Sequence, residues 1–119
     1  MTNREDPLDT RTLDELRSSV GDDPAFVAEL IDEFIEEAPR QLQTLREAAA
    51  SGEAEVARRA AHTLKGNART FGAEGFASLC LEAETAAAAG DLDTVRQRVD
   101  SVEAEWGRVR EALAAARDR

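Results

Sequence analysis

Apolar residues recur along this chain at steps of three and four, the spacing of a helix with one buried face, over almost its whole length. The pattern predicts helix from near Asp9 to near the C-terminus, broken only by short turns. A short first helix carries Leu13, Leu16 and Val20, with Asp9 or Thr10 as its cap, and stops at Gly21. Asp23 can cap the next helix, and Pro24 fits the first helical position, where a missing N–H is no loss. That second helix turns Phe26, Leu30, Phe34, Ala38, Leu42 and Leu45 toward a core. Pro39 inside it should kink it rather than end it, because the apolar stripe resumes in phase afterwards. Ser51-Gly52 closes this helix, and a third runs from about Glu53 to Thr70. Phe71-Gly72-Ala73 is a tight connection in which Gly72 takes the left-handed C-cap conformation. The fourth helix, about Glu74 to Ala89, presents Phe76, Leu79, Cys80, Ala83 and Ala87. After a turn at Gly90-Asp91 comes the most regular seam: Leu92, Val95, Val99, Val102, Trp106, Val109 and Leu113. Trp106 reads there as a core residue.

Short connections between long helices make sequence neighbours antiparallel. The expected fold is therefore all-α, an antiparallel up-down four-helix bundle with an additional short N-terminal helix. A chain of 119 residues holds one core and one domain, 1–119, with 1–8 expected to be a loosely ordered lead-in. No apolar run approaches the roughly 20 residues of a membrane span, and the first residues are polar and acidic. A cytoplasmic monomer is expected. The net charge of −10 argues against nucleic acid, whose phosphates call for a basic footprint. Cys80 is the single cysteine, so it can form no intrachain disulfide, and it reads as a small buried apolar residue.

His62 is the single histidine, on the third helix. At about 100° per residue, Ala60, Leu64 and Phe71 fall within roughly 20° of the opposite side, with Ala57 and Ala68 not far off. Those residues define the core face, so His62 points outward. Arg58, Lys65 and Arg69 lie within roughly 60° of it and Arg59 at the edge of that sector. In so acidic a chain, four cations around one imidazole are a local reversal of sign that favours a phosphoryl group or an acidic partner. Gly66, about 40° from His62, is a mid-helix glycine, disfavoured by about 1 kcal/mol against Ala. It leaves a flank of the imidazole open to close approach, unless it serves helix packing. In a hairpin turning near Ala73, Glu84 is level with His62. Spacing alone leaves Glu84 either as a partner that fixes the ring's tautomer or as a surface acid.

The string Ala61-His62-Thr63-Leu64-Lys65-Gly66, followed by Gly72-Ala73, Leu79-Cys80 and Glu82-Ala83-Glu84, resembles the signature of histidine phosphotransfer (HPt) domains of two-component phosphorelays. The resemblance implies that His62 accepts a phosphoryl group from the aspartate of a receiver domain and passes it to another receiver. Lys65 would steady the phosphoryl group, Gly66 would give the partner room, and Glu84 would orient the ring. Arg58, Arg59 and Arg69 are read from their charge alone as docking residues, Arg69 lying at a variable position of the family, and Asn67, also read as docking, stands where the family often has Ser. The chain would bind no cofactor, and a divalent metal such as Mg would come with the receiver. With no Gly-rich phosphate loop and too little length for a kinase domain, it would be a carrier and substrate, not an enzyme. Its partners would be receiver domains of hybrid sensor kinases and response regulators, with no membrane involved.

Other readings stand beside this one. A chemotaxis-type kinase has a similar phosphoacceptor module, and a helical adaptor could dock through the same face without phosphorylation. An acid–base enzyme using His62 and Glu84 would need a water-excluding pocket. Metal binding finds no ligand spacing around one histidine and scattered acids.

Overall fold

In the computed structural model, which describes residues 6–118, the chain forms five helices. They are α1 (Thr10–Ser19), α2 (Pro24–Ser51), α3 (Ala54–Thr70), α4 (Glu74–Ala88) and α5 (Leu92–Arg117), with no strand among the described residues. Local chemistry starts three of them. The Asp9 carboxylate accepts from the Arg11 N–H, Asp23 from Ala25 and Phe26, and Asp91 from Thr94, each meeting donors that a helix's first turn leaves without partners. α2 runs continuously through Pro39, whose ring lies exposed. On that side of a long helix the carbonyls already lean toward water, so the lost N–H does not end it.

The buried stripe of α2 enters on Val27 and Ile31 rather than on Phe26 and Leu30. Phe26 is 42% exposed and Leu30 half-buried. Two successive steps of four back from Phe34 rotate about 80° away from the core direction, whereas alternating steps of four and three stay on it. Leu79 is likewise half-buried, with Ala77 inside, and Leu92 is half-buried at the start of α5. The rest of the α5 seam, Trp106 and Cys80 are buried. Of the expected loose lead-in, residues 1–5 lie outside the described residues. Its end is part of the packing, because Leu8 is buried against the core.

α3 packs on α2 and α4, α5 packs on α4 and α2, and α1 touches α2 and α3. Ion pairs between α2 and α5 run in opposite order along the two helices: Asp32 with Arg117, then Arg46 with Asp100 and Glu103. The core has two parts. One is aromatic: Phe34 stacks on Phe71 at 5.3 Å and meets Trp106 edge-on at 5.0 Å, and Trp106 reaches Phe76 at 5.7 Å. The other is mostly alanine, with Ala57, Ala60 and Ala61 of α3 facing Ala83, Ala86 and Ala87 of α4, beside Leu45, Val95 and Val99. No described helix is long and apolar enough to cross a membrane.

Gly72 makes the α3–α4 turn possible. Its φ of +75° is a left-handed conformation, and a Cβ there would sit 2.9 Å from Thr12 Cβ and 3.0 Å from the Asp9 carbonyl oxygen. The Asp9 N–H donates to the Gly72 carbonyl at 2.8 Å, so the segment before α1 closes over this turn.

Candidate functional site

Two features of the fold set what faces His62. Phe71 and Phe76 bracket the Gly72 turn and are both held in the aromatic cluster, which fixes the register of α4 against α3. Alanines between the two helices then allow close approach. Eleven residues from Ala73 along each helix, about 16 Å from the turn, His62 and Glu84 meet. His62 Nδ1 lies 2.9 Å from Glu84 Oε2. The His62 side chain is 60% exposed, so the imidazole stands at the surface with one nitrogen held from below.

Glu84 is ionised in this setting. Its burial alone would raise its pKa, but the Lys65 ammonium at one oxygen and the His62 ring at the other outweigh that and hold it below the ordinary value. A carboxylate can only accept, so Nδ1 carries the ring proton and donates it to Glu84. Nε2 is then the nitrogen with the lone pair, and it has no protein partner among the described residues.

Lys65 belongs to the same cluster in a different way from the one its spacing suggested. Its side chain is 14% exposed, and Nζ lies 2.7 Å from Glu84 Oε1, which is sealed from solvent and accepts no aligned hydrogen bond. The contact is a charge pair. Moving the ammonium away would strip a buried carboxylate oxygen of its nearest counter-charge, a costly change. Glu84 therefore links Lys65 through one oxygen to His62 through the other.

The expected ring of cations is partly answered from within. The Arg58 guanidinium donates to both oxygens of Glu55, Nε at 2.9 Å and Nη2 at 2.7 Å, and Arg59 lies 3.6 Å from the same carboxylate. These arginines hold the Glu55 carboxyl down to about 2, the hydrogen bond from Arg58 being the largest cause. Arg69 is exposed and has no ion pair among the described residues. Glu55 is the site residue that sequence reasoning missed. Its signal was present, since it lies seven residues before His62 on the same helical line and at i−3 and i−4 from the two arginines.

Gly66 is exposed, and a Cβ added there would meet nothing within 4 Å, so no helix packs against it. The space beside His62 is open to another molecule. Asn67 is turned elsewhere: it lines a groove of about 390 Å³ between α2 and α3, with Leu30, Glu33, Phe34 and Thr70. It lies about 140° round the helix from His62, so the structure does not bring it to the cationic stripe. Among the described residues no three of His, Cys, Asp and Glu are grouped to hold a metal ion.

Comparison with known proteins adds a separate line of observation. Residues 29–119 match the family model described as the Hpt domain. The crystal structure of histidine-containing phosphotransfer protein B (HptB) from Pseudomonas aeruginosa PAO1 is similar throughout. Its TM-score is 0.84 at 31% sequence identity, covering 95% of this chain and 96% of that one. No curated protein sequence gives a significant match.

Proposed function

This chain belongs to the Hpt domain family and acts in histidine phosphotransfer within a phosphorelay, and from that premise we propose that Nε2 of His62 is the atom that carries the phosphoryl group. The observation that carries this reading is the exposed imidazole whose Nδ1–H is held by an ionised Glu84. The Nε2 lone pair attacks the phosphorus of an aspartyl phosphate. As the Nε2–P bond forms, the P–O bond breaks and its electron pair leaves on the aspartate carboxylate. No proton need move. The ring becomes a cation that keeps Nδ1–H, and the Glu84 hydrogen bond strengthens as that charge develops. The reverse reaction returns the group to another receiver.

In this reading Lys65 acts through Glu84 as a positioning residue, while Gly66 leaves room for the receiver and Arg58, Arg59 and Arg69 present positive charge to it. The receiver brings the divalent metal. The ring of contacts from α2 to α5, with ion pairs in opposite order on α2 and α5, supports an up-down antiparallel bundle. We place the chain in the cytoplasm as a carrier, not a kinase.

The test mixes the chain with a phosphorylated receiver domain. The receiver should lose label while this chain gains an acid-labile, alkali-stable modification at His62, and His62→Gln should gain none. Label on another residue, or a His62→Gln variant that still relays, would overturn the assignment. An adaptor would work equally well with His62→Gln.

A further inference from the structure

Arg58 and His62 stand one turn apart on α3, four residues from each other. Helical side chains lean toward the N-terminus, so the His62 ring tilts over the turn that carries Arg58. Yet the Nε–Nη2 edge of the Arg58 fork is engaged by Glu55, in the two-bond geometry that a phosphoryl group would also accept. Glu55 lies on the same helical line as His62, and its side chain is 59% exposed.

We propose that Glu55 stands in for the phosphoryl group in the unphosphorylated protein, holding Arg58, and that Arg58 transfers from Glu55 to the phosphoryl oxygens when His62 is phosphorylated. The inference rests on His62 being the phosphoacceptor. A phosphoryl group presents three strong acceptor oxygens against the two of Glu55, and the positive charge of the ring beneath it is held by Glu84. The Arg58–Glu55 pair is open to solvent and screened by salt, so phosphoryl oxygens can compete with it. Arg59 remains beside Glu55, so the released carboxylate keeps a counter-ion. The outcome is a surface whose charges are arranged differently in the two states, while Lys65 and Glu84 stay paired beneath.

Phosphoramidate is a test donor that needs no receiver. Nε2 attacks its phosphorus, and ammonia leaves with the electron pair of the broken P–N bond. NMR of the full chain then follows two signals, the Arg58 Nε–H and the 31P resonance of phosphohistidine through its second ionisation. The Arg58 signal, assigned by its loss in Arg58→Gln, should shift on phosphorylation. The phosphoryl's second pKa should stand several tenths of a unit higher in Arg58→Gln than in the parent, because a paired guanidinium favours the dianion. In Glu55→Gln it should be equal to the parent's or lower. Arg110→Gln, an exposed change on α5, removes the same net charge away from α3 and should leave the titration unmoved. An Arg58 signal that stays put, or a titration the same in Arg58→Gln as in the parent, overturns the exchange while leaving His62 as acceptor. No phosphoryl on His62 at all overturns both readings.

Discussion

In the proposed mechanism, reactivity at His62 rests on one carboxylate with two contacts. Glu84 Oε2 fixes which ring nitrogen keeps its proton, and Glu84 Oε1 holds Lys65. A hydrogen bond to a charged group contributes about 1.5–3 kcal/mol, and each 1.4 kcal/mol is a tenfold change in rate. Glu84→Gln, which keeps the shape but loses the charge, should therefore slow phosphotransfer to His62 by roughly ten- to hundredfold. Rapid-quench kinetics against a phosphorylated receiver would measure it, and a near-parental rate would remove Glu84 from the mechanism. The same residue shapes acid stability. Its folded pKa lies below the 4.5 of a free glutamate, so the unfolded chain takes up its proton first as pH falls. The stabilisation is complete above about pH 4.5 and is lost as pH drops through the lower folded value. Denaturant midpoints measured across that window should fall less steeply for Glu84→Gln than for the parent.

At the level of the helices, the site depends on the α3–α4 hairpin. A helix cannot slide by one residue without rotating about 100°, and the aromatic pair flanking Gly72 prevents such a slip. Gly72 is the weak point of this arrangement. A side chain there would be strained at φ +75° and would meet Thr12 and Asp9, which come from the segment closing over the turn. Gly72→Ala should lower stability by about 1–3 kcal/mol in urea unfolding. It should also loosen residues around Asp9 in amide exchange before it affects α5. A variant as stable as the parent would show that the turn tolerates a side chain after all. Pro39 is the opposite case: a residue that breaks helices in general is accommodated within α2, where it lies exposed.

Across the whole molecule, a net charge of −10 surrounds one stripe where Arg58, Arg59, Lys65 and Arg69 gather. Glu55 and Glu84 answer part of that charge. What remains, Arg69 above all, is positive charge close to His62 in a negative molecule, and under the proposed function it would help orient an acidic partner surface. Association measured by stopped flow should slow several-fold between about 0.05 and 0.5 M salt, with dissociation much less affected. A rate independent of salt would mean that the stripe does not steer docking.

Much of this was legible in the residues themselves. Helix number, the Asp9 and Asp23 caps, the Gly72 turn and the outward direction of His62 follow from local rules of rotation per residue, hydrogen-bond donors and backbone freedom, which act within a few positions along the chain. Even the pairing of His62 with Glu84 could be reached by counting from the turn, though counting left the carboxylate's role open. What needed the folded molecule was every choice among neighbours in space. Lys65 bends to Glu84 instead of standing free, Glu55 occupies Arg58, Asn67 faces α2, and the α2 stripe starts at Val27 rather than Phe26. A long side chain can reach several partners from one position on a helix. Which one it takes depends on burial and on competing charges from other turns and helices, and those quantities exist only once the helices are packed.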